Sequence, residues 1–369
     1  MKKIILSIAA VAALAACTKS EVQYEQPSEI GFVPVTKMNT KAAVSTTDYP
    51  DALNMYVFAN AGLDGNDTGE TVEVSECTEP YFRNAEFSHG SNAEHVFSGL
   101  TPYYWPNVKQ LIFSGYSKSG NVANLAEAPT YDGTAITIKG YKPGDGTATL
   151  GDNDLMWFPT TGPYAKPGKI GADNDKDVNV QMKHACSWIT FNVKGNEVTG
   201  RADNESTEDV DEGTTWQILD LSIADLSQSA DVTLGTQAVW SNLATGTPFD
   251  VYRGTGKQLT TGYVDYTKLG SSYQDFIVIP QATKQLYIKY QYVSQKGAAA
   301  DGSQDLICTE EITKPLTYTD GTDWLPGVHY IYNITIGTEE ILIEPTVAEW
   351  EPKNGEGPDD NGLNSDITL

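Results

Sequence analysis

The stretch QLYIKYQYV, residues 285–293, carries the pattern on which the fold depends. Leu286 and Ile288 alternate with the polar Lys289 and Gln291, and tyrosines continue the apolar series. Successive side chains of an extended chain point to opposite faces, so an alternation with period two is typical of a strand with one buried face. The stretch therefore predicts a half-buried β-strand.

Comparable short runs recur along the whole chain. They are rich in Val, Ile, Thr and Tyr and are separated by Gly, Asn, Asp and Pro, which is the composition of strands joined by turns. The clearest are LNMYVFAN (53–60), LIFSGYS (111–117), AITIKGY (135–141), VNVQMKHACSWITFNVKG (178–195), TWQILDLSIADL (215–226), DVTLGTQAVW (231–240) and HYIYNITIG (329–337). We predict an all-β protein of two antiparallel β-sandwich domains in tandem, of transthyretin-like or Greek-key type.

Composition divides the chain into five segments. The Gly-, Asp- and Lys-rich run 160–177 is the strongest linker signal, so the boundary between the two domains is placed directly after it. The predicted segments are an export signal at 1–16, a tether with a removable strand at 17–41, sandwich domains at 42–177 and 178–350, and a flexible polar tail at 351–369.

The charge balance excludes one class of partner. The 369 residues include 49 acidic and 24 basic side chains, which gives a formal net charge of −25. Such a chain repels phosphate backbones, so we predict no binding to nucleic acid. Apolar residues make up 40% of the chain and charged residues 20%, which is the composition of a globular protein.

The N-terminus has the form of a bacterial export signal. Two lysines precede a short apolar run and then small residues, in MKKIILSIAAVAALAAC. The sequence Leu14-Ala15-Ala16-Cys17 resembles a lipobox, which predicts that Cys17 becomes the lipidated first residue of a precursor held in the outer membrane. The alternative is ordinary signal cleavage, with Cys17 incidental.

The stretch IGFVPVTKMNTKAAV, residues 30–44, predicts a short strand followed by two cleavable lysines, Lys37 and Lys41. Both faces of the strand are largely apolar, as in a strand that is buried on both sides or lies in a groove. Pro34 cannot donate to a ladder, so an edge or terminal strand is expected. The residues assigned to this removable strand are Ile30, Phe32, Val33 and Val35.

Catalytic and metal-binding patterns are weak throughout the sequence. His89 and His95 match no zinc spacing. The acidic triplet Asp173, Asp175 and Asp177 has the alternate spacing of a calcium loop, but it lacks the glycine and the final glutamate of that motif, so a solvated loop is the better interpretation. We expect no enzyme activity and no cofactor. Small buried thiols are expected for the cysteines after Cys17, and one disulfide stays open.

Several motifs together resemble the fimbrillin family, the subunit type of type V pili in Bacteroidales. They are LAAC, EIGF ahead of a TKA segment, YYWP followed by LIFSGYS, MKHACSWITFNVKG, IVIPQ, WLPGVHYIYNITIG and VAEW. Their order and spacing are similar over almost the whole chain. A lysine stands at the proposed cleavage position, where well-known members favour arginine.

The resemblance implies a fimbrial subunit that is exported as a lipoprotein and supports adhesion. A trypsin-like protease would remove the first strand, and the exposed groove would accept a strand from another fimbrial subunit by β-augmentation. The donor-strand candidates lie in EEILIEPTVAEW (339–350), and are Ile341, Leu342, Ile343, Val347 and Trp350. These residues could instead close the sheet of their own chain.

A second hypothesis needs no polymerisation. The chain would then be a surface lipoprotein that binds glycans through its β-sandwich domains, with a host glycan or protein as its receptor. Loss of the segment 30–41 to trypsin, followed by assembly, separates the fimbrial hypothesis from this one.

Overall fold

The computed structural model describes residues 27–35, 49, 51–64, 72–90, 96–120, 122, 125–143, 154–168, 177–195, 214–266, 276–294, 306–317, 323–337 and 341–349. The regular structure of this part consists of strands and one 3-10 turn, Val74–Glu76. The predicted all-β class is therefore confirmed. No helix of sufficient length and hydropathy to cross a membrane occurs among these residues.

Ten strands occur among the described residues of the first half of the chain. They are β1 (Gly31–Val35), β2 (Met55–Asp64), β3 (Glu79–His89), β4 (Phe97–Gly99), β5 (Lys109–Ser117), β6 (Thr130–Tyr131), β7 (Ile136–Tyr141), β8 (Met156–Tyr164), β9 (Asp177–Gln181) and β10 (Lys183–His184).

Eleven strands follow in the second half. They are β11 (Ser187–Gly195), β12 (Thr214–Leu226), β13 (Ala230–Leu234), β14 (Ala238–Ser241), β15 (Thr247–Gln258), β16 (Val264–Asp265), β17 (Phe276–Val278), β18 (Gln285–Ser294), β19 (Leu306–Pro315), β20 (Val328–Ile336) and β21 (Ile341–Glu349). The opening alternation lies in β18, where Leu286 and Ile288 are fully buried, as predicted.

These strands form four sheets. An eight-stranded sheet has the order β10-β8-β5-β2-β3-β4-β1-β9, and a small sheet has the order β14-β13-β7-β6. In the second half, one sheet has the order β16-β11-β20-β21, with β17 also paired to β11, and another has the order β15-β12-β18-β19.

The eight-stranded sheet curls around its own core. Phe32 of β1 and Phe113 of β5 lie four strands apart in the sheet, a distance of about 19 Å if it were flat. Their ring centroids are only 5.1 Å apart. The two ends of the sheet therefore face each other, and residues of β8 and β9 share one apolar cluster with β1.

The outer side of this sheet is covered by the small sheet. Phe58, Tyr116 and Trp157 form a second cluster with Ile138 of β7 and Val232 of β13. Because both faces of the eight-stranded sheet are covered, β5 is buried along almost its whole length, KQLIFSGYS. The two larger sheets of the second half likewise share one core, with residues of β11 and β20 packed against β12 and β18.

Strand pairing departs from the predicted antiparallel pattern at two places. β1 pairs with β9 in parallel, and β11 pairs with β20 in parallel. Of the two predicted alternatives, an edge or a terminal strand, the first is wrong, because β1 lies between β4 and β9; it is the first described strand of the chain. Pro34 is accommodated because the described pairing with β4 covers Gly31 and Phe32 and ends before the proline.

The pairing also bears on the domain organisation. The predicted linker 160–177 is strand in part, since β8 continues to Tyr164. β9 and β10 pair with β1 and β8, so the first sheet extends past the predicted boundary to His184. The small sheet combines β7 with the hairpin β13–β14 of the second half. Division into two tandem Greek-key sandwiches thus stays a prediction.

Replacing Ile138 by alanine tests whether the small sheet holds the two halves together. Ile138 is fully buried against Val232, so we expect Ile138→Ala to lower the free energy of unfolding by about 2–5 kcal/mol. The matched control is Val239→Ala in β14, since Val239 is 59% exposed and should change stability by less than about 0.5 kcal/mol. Guanidinium denaturation followed by tryptophan fluorescence measures both. Equal losses of unfolding free energy in Ile138→Ala and Val239→Ala would contradict a core that the two halves of the chain share.

Candidate functional site

The slot that holds β1 is the candidate site, and three neighbours line it with backbone groups. On one side β4 pairs antiparallel with Gly31 and Phe32. On the other side β9 pairs in parallel with all five residues of β1, from Gly31↔Asp177 to Val35↔Gln181. Before the strand begins, the amide of Ile30 donates to the carbonyl of Tyr103 at 2.8 Å. The segment is thus held from both sides at Gly31 and Phe32, and by β9 alone from Val33 to Val35.

Apolar packing holds the inner face of β1. Ile30 and Phe32 are both 0% exposed. The Phe32 ring meets Phe87 edge-on at 4.9 Å, meets Phe113 edge-on at 5.1 Å, and lies 6.0 Å from Phe158. Edge-to-face aromatic contacts of this kind add about 0.5–1.5 kcal/mol each to the burial term. Phe32 is therefore the principal apolar anchor of the segment.

The described inner side of the slot is lined by buried apolar and aromatic side chains. Tyr49, where the described chain resumes after β1, packs edge-on against Phe97 at 5.3 Å. Burial raises the pKa of Tyr49 well above its usual value, and the Asp154 carboxylate raises it further, so this phenol stays neutral. A strand that occupies the slot meets an apolar, aromatic surface on this face.

The structure brings together the residues predicted for the removable strand. Ile30 leads directly into β1, which contains Phe32, Val33 and Val35. Val33 is half-buried on the face opposite Phe32. The cleavage candidates Lys37 and Lys41, and the lipidation candidate Cys17, lie outside the described residues. Their roles stay predictions.

The donor-strand candidates lie in another sheet. β21 pairs antiparallel with β20 over nine residues, so in this structure these residues close the sheet of their own chain. Ile341 is buried, Ile343 and Val347 pack against the core of the second half, and Leu342 is 44% exposed. Trp350 lies outside the described residues.

Sequence reasoning missed the floor and one wall of the slot. The floor consists of Phe87, Phe113 and Phe158, which come from three separate strands. The missed wall is β9, where Val178 and Val180 are buried and alternate with exposed or half-buried polar residues. That alternation was a usable signal for a strand, but no local pattern identifies β1 as its partner.

The described residues contain few groups that are suited to metal binding or nucleophilic catalysis. No group of three or more His, Cys, Asp or Glu side chains in this part is placed to hold a metal ion. Asp177 belongs to β9, while Asp173 and Asp175 lie outside the described residues. Cys77, Cys186 and Cys308 are free thiols, and burial raises the pKa of Cys77 to about 11. The site is a binding slot made of backbone groups and apolar side chains.

Truncation of Phe32 measures how firmly the slot holds its strand. We expect Phe32→Ala to lower the free energy of unfolding by about 3–5 kcal/mol, because it leaves a cavity between three aromatic rings. Val33→Ala on the half-buried face is the matched control and should cost less than half as much. Chemical denaturation of the two variants compares them. A larger loss for Val33→Ala would show that the inner face does not anchor β1.

Comparison with solved structures finds a similar fold in a fimbrial protein. A fimbrial protein from Bacteroides vulgatus matches at 14% identity with a TM-score of 0.55, over 87% of this chain and 99% of that one. A fimbrilin from Porphyromonas gingivalis matches at 13% identity with a TM-score of 0.38, over 89% of this chain and 99% of that one. The first likeness supports the fold, whereas the TM-score of the second is too low to carry an argument.

Family comparison covers most of the sequence. No curated protein matched the chain. A family model described as fimbrillin-like matches residues 40–350, well over half of the 369 residues. The resemblance seen in the sequence motifs is confirmed by this match. The chain belongs to the fimbrillin-like family, whose members are fimbrial and adhesion proteins rather than enzymes.

Proposed function

We propose that this chain is a structural subunit of a cell-surface fimbria that polymerises by strand exchange after proteolytic removal of its N-terminal strand. The observation that carries the proposal is the position of β1. It is the first described strand of the chain, yet it is inserted between β4 and β9 and buries Ile30 and Phe32 completely. A strand at the chain terminus can leave without unthreading the rest of the fold.

Removal of β1 would create a strong acceptor. Ile30 and Phe32 alone contribute about 3–6 kcal/mol of burial, at about 1.5–3 kcal/mol for each side chain. The vacated slot would expose the aromatic floor and the unpaired backbones of β4 and β9, a surface that is prone to association. An incoming strand would restore both the ladders and the packing, which is β-augmentation.

The donor would come from the C-terminal region of a neighbouring subunit, the region that residues 339–350 represent in this chain. Donation by β21 requires it to leave β20, with which it pairs over nine residues. β21 lies at the edge of its sheet, so its release breaks one ladder and leaves the other strands paired. A contact between slot and C-terminal strand is head to tail, and builds a fibre where the rotation between successive subunits does not close a ring.

Export and anchoring complete the proposal. The signal at 1–16 would direct the precursor out of the cytoplasm, and a lipid on Cys17 would hold it to the outer membrane. Cleavage after Lys37 or Lys41 would release the mature subunit from both the lipid and β1. A host glycan or protein would be contacted by the assembled fimbria.

Trypsin treatment tests the removal step. We expect the purified chain to lose its N-terminus at Lys37 or Lys41 and then to form ladders that resist SDS, since each joint restores a buried strand. N-terminal sequencing and SDS electrophoresis report the two steps. The control is the double variant Lys37→Ala with Lys41→Ala, which should stay intact and monomeric. Cleavage without ladders would instead support a surface protein that binds glycans and does not polymerise.

A disulfide lock tests the exchange step separately. Val33 and Asn179 are direct partners in the parallel ladder of β1 and β9, close enough to suit a disulfide. In the double variant Val33→Cys with Asn179→Cys, trypsin should still cut the chain. Oxidation should then keep β1 in its slot and prevent the formation of SDS-resistant oligomers. Adding a reductant should restore assembly. SDS-resistant oligomers that form equally well under oxidation would show that the slot of β1 is not the acceptor.

A further inference from the structure

The outer face of β1 has no room for a side chain at Gly31. This residue is buried and pairs with Asp177 of β9 and Ser98 of β4. A Cβ added there would lie 2.3 Å from Oδ1 of Asp177 and 2.8 Å from Cγ1 of Val96. Both distances are far shorter than a van der Waals contact between such atoms.

Space, rather than backbone conformation, favours glycine at this position. Gly31 lies in a strand and is not among the glycines with positive φ. An alanine could therefore adopt its backbone angles without strain. The carboxylate of Asp177 occupies the place where the side chain of residue 31 would lie, and Val96 closes the same place from the other side.

The inner face of the same segment makes the opposite demand. Ile30 and Phe32, which flank the glycine, are both fully buried in the aromatic core. A strand that takes the place of β1 in the same direction must therefore carry a large apolar residue, then glycine, then a second large apolar residue. A shift by one residue would place a bulky side chain against Asp177, so the glycine also fixes the register.

We propose that Asp177 and Val96 bias which strand the slot accepts, by favouring glycine opposite Asp177. The inference rests on the proposed function, because it concerns the strand that replaces β1. Residues 338–354, which include β21, contain no glycine. The C-terminal strand of a second copy of this chain would therefore enter the slot only with a displacement of the Asp177 side chain, and would be held more weakly. The preferred partner is a different subunit, whose extended donor strand carries a glycine between two large apolar residues.

A double-mutant cycle on the intact chain tests the crowding at Gly31. We expect Gly31→Ala to lower the denaturation midpoint clearly, and to lower it much less in a background of Asp177→Ala. Val96→Ala provides a second relieving background if Gly31→Ala alone does not fold. The control is Val33→Ala, which should cost the same with and without Asp177. An equal cost of Gly31→Ala in every background, or no cost at all, would overturn the inference.

Peptide uptake tests selection by the slot. The trypsin-treated chain is mixed with a labelled peptide of residues 28–35, with the same peptide carrying Gly31→Ala, and with a peptide of residues 341–349. We expect the alanine peptide to bind about tenfold more weakly than the first, as overpacking predicts, and the third to bind weakly as well. The Asp177→Ala chain should discriminate much less between the first two.

The outcomes separate this inference from the proposed function. If the glycine and alanine peptides bind equally, or if residues 341–349 bind as well as residues 28–35, the slot does not select glycine, although strand exchange stands. If no peptide binds, β1 is not replaceable and the proposed function fails. The cycle on the intact chain still reports on the contact at Gly31 in that case.

Discussion

The burial of Phe32 between β4 and β9 is the contact on which the first half of the molecule depends. Its ring joins β3, β5 and β8 through Phe87, Phe113 and Phe158. β5 and β8 lie four and five strands away from β1 in the order of the sheet, so the sheet must curl to bring their rings to Phe32. A single aromatic side chain at the chain terminus thus fills the space that the curled sheet encloses.

One continuous segment connects this slot with the second half. β9 pairs with β1, β10 pairs with β8, and β11 lies at the centre of the sheet that also contains β20 and β21. Between them, the amide of Ala185 donates to the carbonyl of Leu155 at 2.7 Å, and the amide of Gly327 donates to the carbonyl of Cys186 at 2.8 Å. The candidate acceptor and the candidate donor are thus attached to the same stretch of backbone, residues 177–195.

Local pattern was sufficient for strands and insufficient for their partners. The alternation in 285–293 and the apolar faces of 30–35 predicted β18 and β1, because side-chain period and burial are local properties. The parallel partner of β1 lies almost 150 residues away, and nothing in either segment encodes that pairing. The predicted linker 160–177 begins inside β8, which continues to Tyr164. The ladder between β8 and β5 is irregular there, and this irregularity accommodates Gly162, at a φ of 109°, within the strand.

The difference between a slot and an edge decides how well a replaced strand can be held. An edge strand such as β21 has one ladder, with β20, and it contains Glu344 and Pro345, residues that discourage further pairing. β1 has a neighbour on each side and a core beneath it. A strand in its place gains main-chain bonds to both β4 and β9 as well as the aromatic floor. Because the ordering of a flexible donor consumes much of the gross gain, two ladders and a filled core favour a lasting joint where a single ladder would not.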